Sequence, residues 1–353
     1  MYKTFTRLWL IQYILVILGF TTMKKLVVTG PNTADFITTE IPSINTNQIL
    51  VKTICTAIST GTEIRVYKGI SIDADNKFMF PNMHWSYPVE NGYSTVGEIV
   101  EIGKDVLGYE IGQRVFTSET HKQYSACNPQ DVFKIPSGIP SEYAAMLNIL
   151  QVGHIALRSA NPTFGENLVI AGLGVIGLSV LAYCKTFGFN AIGIETISKR
   201  QLIAESMGVL SVLNPDDSNL QKIVEQKFNG NPPDFAIEAA SNWNAIEMCQ
   251  GLVKEDGKIV VVSRHTAAPK YNPVGHPYFG KRQSIISSYG FSENNTRWNR
   301  LNCMNLTIQL LENKRLDISA LITDKIQWDE LPSMYAKLSN NPETTVGVIV
   351  NWN

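Results

Sequence analysis

Residues 168–177 read LVIAGLGVIG. Four apolar residues suited to a buried strand lead into glycines at 172, 174 and 177. A helical stretch follows, with Val175, Ile176, Leu178 and Leu181 apolar. Each glycine has a physical use. Gly172 permits a tight turn, Gly174 lets the backbone approach a pyrophosphate, and Gly177 lets the helix pack closely on the sheet. The helix opening at Val175 and Ile176 presents unpaired N–H groups and a partial positive charge to an anion. A bare G-x-G-x-x-G is more often a structural turn. A strand before it and a helix after it make it a dinucleotide-binding signature.

The next strand supports that reading. AIGIE at 191–195 ends in Glu195, 18 positions after Gly177. A carboxylate there accepts hydrogen bonds from an adenosine ribose and repels a 2′-phosphate, which favours NAD and leaves NADP possible. The bland alternative is a solvated charge at a strand end. Arg200, five residues on, suits an adenine or ribose contact and equally suits a surface helix position.

Working outward, strand and helix alternate from about 146 to 290. Apolar β runs stand at 168–172, 191–195, 209–213, 234–239, 258–263 and 284–290, with amphipathic stretches between most of them. This is the pattern of a doubly wound parallel sheet covered on both faces, an α/β fold. Before it, from about 23 to 145, short β-rich runs such as QILVKTICTAI, TVGEIVEIG and QRVFTS are punctuated by Gly, Pro, Asn and Asp, as in a barrel-like or sandwich domain. The chain closes with VGVIVNW at 346–352. The expected division is an extension at 1–22, a β-rich domain from 23–145 with 291–353, and a dinucleotide-binding domain at 146–290.

Composition bounds the function. The 353 residues suit about two domains, and 44% of them are hydrophobic. Thirty Lys and Arg against 31 Asp and Glu give a net charge of −1. That balance argues against nucleic acid as a partner, because phosphate backbones require a basic excess. The cysteines at 55, 127, 184, 249 and 303 are odd in number and scattered. They read as free thiols in a reducing cytoplasm, without the tight cluster of a structural zinc lobe.

Residues 8–20, LWLIQYILVILGF, form an apolar run after Lys3 and Arg7. The run is shorter than the roughly 20 residues of a membrane span. No small-x-small cleavage site follows it. The preferred reading starts the functional protein at Met23, with strand one from Lys24. A membrane tether and a cleaved signal are the alternatives.

Several stretches together resemble the medium-chain dehydrogenase/reductase superfamily. They are GLGVIG at 172–177, IETISKRQLIAESMG at 194–208, NGYSTVGEIVEIG at 91–103, YEIGQRVF at 109–116 and GKIVVVS at 257–263. The resemblance covers nearly the whole chain from Met23 to Trp352. It implies a Rossmann domain joined to a β-rich GroES-like domain and hydride transfer between a nicotinamide cofactor and a small-molecule alcohol or carbonyl. Dimers or tetramers are usual in that superfamily. ISTGTE at 58–63, YPVENGYSTVGEIVE at 87–101 and ITDKIQWDELPSMYAKL at 322–338 are similar to the subgroup around bacteriochlorophyllide hydroxyethyl dehydrogenase.

The resemblance breaks at the catalytic zinc. The ligand positions it implies read Thr60, Tyr93 and Asn148 here, and these are poor substitutes for thiolate, imidazole or carboxylate. His84, His121, His154, His265 and His276 are scattered without ligand spacing, so no metal is expected. By the same resemblance Thr62 and Tyr93 face the nicotinamide. Their hydroxyls are the expected catalytic groups, able to steady a developing alkoxide, and space-filling roles are the alternative. Glu63 reads as structural. Lys281-Arg282 reads as a solvated pair or a contact for an acidic substrate. The expected function is zinc-independent alcohol/carbonyl oxidoreduction. Reduction of an activated C=C bond and non-catalytic redox sensing are the rivals.

Overall fold

The structure is a computed structural model that describes residues 21–70, 87–265, 267–291 and 297–353. The apolar run at 8–20 and His84 lie outside the described residues.

The first part of the chain is rich in β-structure. Strands β1 (Thr22–Gly30), β2 (Thr33–Glu40) and β3 (Ile49–Ile58) are followed by the short helix α1 (Thr62–Lys68). Strands β4 (Val89–Glu90), β5 (Thr95–Ile102), β6 (Arg114–Thr117), β7 (Tyr124–Cys127) and β8 (Val132–Lys134) complete it. β1 begins at Thr22, two residues ahead of the expected Lys24, because its pairing with β2 extends to Thr22 opposite Glu40. β3 is the hub. Its run of Ile, Val and Thr is buried along nearly its whole length, and it pairs with β5, β7 and a C-terminal strand.

Helices α2 (Ser141–Ala145) and α3 (Leu147–Ala160) lead into the second part. α3 stops at Asn161, which adopts left-handed φ 47°. The alternating region then runs β9 (Asn167–Ala171), α4 (Val175–Phe187), β10 (Asn190–Ile194), α5 (Ser198–Ser206), β11 (Ser211–Leu213), α6 (Leu220–Lys227), β12 (Phe235–Glu238), α7 (Trp243–Leu252), β13 (Lys258–Val261) and β14 (Ser284–Ser287). All six strands are parallel, in the order β11-β10-β9-β12-β13-β14. This is the expected doubly wound sheet. Strand order reverses at β9, whose neighbours are β10 and β12, and a crevice opens at the carboxyl ends of the strands at such a point. Register fixes what borders it. Ala171 pairs with both Ile194 and Glu238, so Gly172, Glu195 and Ala239 emerge side by side.

The chain then returns. α8 (Arg300–Glu312) packs on the helices of the parallel sheet through Thr307, whose hydroxyl meets Gln151 Nε2 at 2.9 Å and the Tyr183 hydroxyl at 2.8 Å. β15 (Ile322–Gln327), α9 (Leu331–Asn340) and β16 (Gly347–Asn351) follow, and β16 pairs antiparallel with β3. The main core runs unbroken from Phe116 and Met146 to Leu178 and Ile237, so the two sheets share one hydrophobic interior across the crevice. No helix among the described residues is long and apolar enough to cross a membrane. All five cysteines are free and buried.

Candidate active site

The glycine turn is built as its sequence requires. Gly172 adopts φ 90°, and a Cβ there would lie 2.7 Å from the Ala240 nitrogen. A Cβ at Gly177 would lie 1.9 Å from the Gly172 carbonyl oxygen, so only glycine lets α4 close onto the turn. Gly174 differs, because a Cβ there would meet nothing within 4 Å. It faces the crevice. Val175 and Ile176 form the helix opening beside it.

Glu195 is buried at the end of β10. Its carboxylate accepts backbone N–H bonds from Leu173 at 2.9 Å, Thr196 at 2.8 Å and Ile197 at 3.0 Å. These bonds tie the second strand to the glycine turn. Arg200 places Nη1 3.7 Å from Glu195 and donates from Nη2 to the Pro342 carbonyl at 3.0 Å. Both residues line a cavity of about 590 Å³ together with Gly172, Gly174 and Asn242.

That cavity is continuous with a second one of about 640 Å³, the two sharing Thr60, Gly61, Gly174, Ala239 and Ser241. The second cavity holds the hydroxyl groups. Tyr93 donates to Ser59 Oγ at 2.5 Å, and Thr62 lines the same cavity. Burial pushes the Tyr93 pKa up, and the nearby Glu63 charge adds to the effect. Three hydroxyls thus share one wall, from the loop after β3, the start of α1 and the loop before β5. Thr62 and Tyr93 both line this cavity. Ser59 escaped the sequence reading, since one serine beside Thr60 carries no signal of its own.

Glu63 holds this wall in place. Its fully buried carboxylate accepts from the Ser59 nitrogen at 2.7 Å, from His121 Nε2 at 2.8 Å and from the Tyr335 hydroxyl. His121 Nδ1 meets Thr56 Oγ1 at 2.7 Å, and Trp352 Nε1 donates to the same oxygen at 3.1 Å. The C-terminal return therefore braces the loop that carries Ser59. A second buried carboxylate, Glu238 at the end of β12, does the same across the crevice. It accepts from the Ala240 and Ser241 nitrogens at 2.9 and 2.7 Å, from Ser263 Oγ at 2.8 Å and from His265 Nε2 at 2.9 Å.

The zinc positions can be tested for fit. Asn148 Nδ2 donates to the Tyr93 carbonyl and, at 3.0 Å, to Ser118 Oγ, while the Tyr93 hydroxyl is committed to Ser59. Two hydroxyls and a donating amide supply no anionic or imidazole ligand, and zinc sites require such ligands. Among the described residues no group of three or more His, Cys, Asp and Glu could hold a metal. The donor set does not fit zinc. Of the histidines, His121 and His265 are bonded to buried carboxylates. His154 is buried beside Tyr183, and burial and then Arg158 lower its pKa to about 4.

Two cations line the second cavity, Arg65 of α1 and Arg264 just beyond β13. Arg65 stands three residues after Thr62, on the same helix face, so its position was readable in hindsight. Arg264 was not. Lys281 and Arg282 lie elsewhere. Lys281 donates to carbonyls at the end of α7, and Arg282 pairs with Glu255 and Asp256 at the surface.

Comparison with known proteins agrees with this architecture. Residues 45–152 match the alcohol dehydrogenase GroES-like domain, and residues 175–304 match the zinc-binding dehydrogenase family. The chain is 27% identical over 351 residues to D-guloside 3-dehydrogenase of Shigella flexneri, covering 94% of this chain and all of that protein. The crystal structure of 2R,3R-butanediol dehydrogenase from Bacillus subtilis superposes with a TM-score of 0.80 at 20% identity, covering 94% of this chain and 100% of that one. A short chain alcohol dehydrogenase of Escherichia coli CFT073, solved with NADH, superposes with a TM-score of 0.78 at 20% identity over 94% of this chain and 100% of that one.

Proposed function

This chain belongs to the medium-chain dehydrogenase/reductase superfamily, and from that premise we propose that it is a zinc-independent, NAD-dependent dehydrogenase whose substrate oxygen is held by hydroxyl groups. Nicotinamide-dependent oxidoreduction between alcohol and carbonyl is the chemistry of its relatives and of this chain. The finer reading concerns what stands where zinc would be. The observation that carries it is the convergence of Ser59, Thr62 and Tyr93 on the cavity that Gly174 also faces.

In this reading residues 146–290 hold the dinucleotide, and 23–145 with 291–353 supply the hydroxyls. Gly172, Gly174 and Gly177 shape the turn, the N–H groups at Val175 and Ile176 meet the pyrophosphate, and Glu195 with Arg200 meets the adenosine ribose. When bound, the nicotinamide supplies the hydride acceptor or donor. The chain supplies position and hydrogen bonds. Tyr93 donates to Ser59, which leaves the Ser59 proton free to turn toward a substrate oxygen in the cavity. Thr62 presents its own hydroxyl to the same cavity. A chain of hydroxyls polarised in one direction stabilises negative charge on that oxygen better than an isolated donor. Glu63 contributes as a positioning residue, by fixing the Ser59 backbone.

Relatives are named as dehydrogenases of a guloside, a galactonate, threonine and butanediol. Their names favour alcohol oxidation over reduction of C=C bonds or non-catalytic sensing. The test is NAD-dependent turnover across secondary alcohols and polyols. Turnover of at least one supports the reading. NADH binding with no alcohol turned over, or activity confined to activated C=C bonds, contradicts it.

Cofactor choice gives a separate prediction. Glu195 is buried and carries three backbone N–H bonds, so a 2′-phosphate beside it meets a fixed negative charge. Like charges at a partly wet site cost a few kcal/mol at most, and Arg200 offsets part of that. NADH is expected to bind about tenfold or more tighter than NADPH. Fluorescence titration with both cofactors measures this, and tighter NADPH binding would overturn it.

A further inference from the structure

Accepting the dehydrogenase reading just given, we infer that Asn148 is a specificity-determining residue, its side-chain oxygen accepting a hydrogen bond from a second hydroxyl of the substrate beside the one that is oxidised.

One helix face and one amide carry this. α3 lines the cavity of about 640 Å³ with Asn148, Gln151, Val152 and Ile155, spaced i, i+3, i+4 and i+7 along a single stripe. Asn148 Nδ2 donates to the Tyr93 carbonyl and, at 3.0 Å, to Ser118 Oγ. A backbone carbonyl only accepts, so the amide nitrogen must face it and the side chain cannot be turned over. Ser118 Oγ also accepts from Arg300 Nη2 at 2.7 Å, which fixes the second contact. Ser94, next to Tyr93, donates to the Ala145 carbonyl at 2.6 Å, so the loop that carries Tyr93 is itself tied to the helices. Both amide hydrogens of Asn148 are thus used within the chain. Its Oδ1 accepts from no described residue, and it is not sealed inside the protein. Gln151, one turn on, makes the contrast. Its Nε2 is committed in the same way, to the Cys303 carbonyl at 3.3 Å and Thr307 Oγ1 at 2.9 Å, but its Oε1 is enclosed. Of the two amides, Asn148 is the one that offers an open acceptor to a ligand.

The type of atom decides what it reads. An amide oxygen is acceptor-only, so it takes a hydroxyl and disfavours an ether, carbonyl or carboxylate oxygen. The hydroxyls of Ser59, Thr62 and Tyr93 on the same cavity can each donate, and donors suit the oxygen on which negative charge develops. Asn148 is bonded to the backbone of Tyr93, whose own hydroxyl lies on Ser59, so the acceptor is fixed to the wall that carries the donors. A substrate with two neighbouring hydroxyls satisfies both. A mono-alcohol displaces water from Asn148 Oδ1 and returns no hydrogen bond. Asn148 therefore selects vicinal diols and polyols over mono-alcohols. The competing donor is the carboxamide of the nicotinamide, because Gly174 borders the same cavity.

Steady-state kinetics with NAD on the full chain test this, with cyclohexane-1,2-diol, cyclohexanol and 2-methoxycyclohexanol as substrates. The methyl ether keeps the second oxygen and removes its proton. Counted per oxidisable hydroxyl, kcat/KM for the diol is expected to exceed that for either of the others by about tenfold or more. Asn148→Leu keeps most of the side-chain volume and should bring that ratio to about one, with NADH affinity unchanged within about twofold. Loss of the bond to the Tyr93 carbonyl lowers turnover of all three substrates together and cancels in the ratio. The parent's preference for the diol over the methyl ether stands as a test without any variant. A parent that turns over the three alike, or a diol preference that survives in Asn148→Leu, overturns the inference and leaves the dehydrogenase reading standing. NADH affinity falling in step with the diol preference also overturns it, by assigning Oδ1 to the nicotinamide carboxamide. Turnover of no alcohol at all overturns the dehydrogenase reading, and this inference with it.

Discussion

Gly174→Val is expected to weaken NADH binding by about 10²-fold or more while the protein folds and melts like the parent. A Cβ at this position meets no atom of the chain within 4 Å, and the backbone is extended at φ −67° and ψ −175°, which valine adopts without strain. The branched side chain instead occupies the space a pyrophosphate needs at the opening of α4. Losing two charge-assisted N–H bonds at about 1.5 kcal/mol each costs about 3 kcal/mol, or 10²-fold in affinity. Gly177→Val is the contrasting variant. Its Cβ would sit 1.9 Å from the Gly172 carbonyl, so it should lose the fold of the turn itself and melt well below the parent. Fluorescence titration and thermal unfolding of both variants check the pair. Unchanged NADH affinity in folded Gly174→Val would place the dinucleotide elsewhere.

Loss of a single hydroxyl in the second cavity should be nearly as costly to turnover. Removing one preorganised donor to a developing oxyanion typically lowers turnover by about 10²–10³, some 3–4 kcal/mol. Ser59→Ala, Thr62→Val and Tyr93→Phe are each expected to fall in that range, with NADH affinity little changed. Ser59 and Tyr93 should not add. Ser59 accepts from the Tyr93 hydroxyl, so removing Tyr93 already breaks that pair, and the Ser59–Tyr93 double variant should be little worse than Tyr93→Phe alone. Valine and phenylalanine keep most of the replaced volume, which separates this from a packing defect. Steady-state kinetics on a turned-over alcohol provide the measurement. Parent-like turnover in all three variants would dismiss the hydroxyl mechanism.

The parts of the fold that were legible in the sequence are those whose signal is local. LVIAGLGVIG announces a strand, a turn and a helix within ten residues, and the later strands of the parallel sheet are short runs rich in apolar residues. β2, reading TADFITTE, was not singled out, because it is mostly exposed and owes its existence to pairing with β1. β15 carries little strand signal of its own for a similar reason. Its polar sequence ITDKIQ forms a strand because β16 lies beside it.

The site follows the same rule. Gly172, Gly174, Gly177 and Glu195 are close in sequence and were readable from spacing. Thr62 and Tyr93 were reachable only through a family resemblance. Ser59, Arg65 and Arg264 were not singled out, because what unites them is the closing of the crevice, which brings residue 264 opposite residue 65. Glu63 read as structural, and its buried bonds to Ser59, His121 and Tyr335 give that reading a definite content: it braces the loop that carries Ser59 against the C-terminal return.

The central claim is that hydroxyl groups stand in for zinc. Its most direct measurement is the metal content of active enzyme purified without added metal, taken together with turnover before and after prolonged treatment with a chelator. The account predicts far less than one zinc per chain and unchanged turnover, because Thr60, Tyr93 and Asn148 offer no zinc ligand set. About one zinc per chain, with turnover lost to the chelator and restored by zinc, would contradict it.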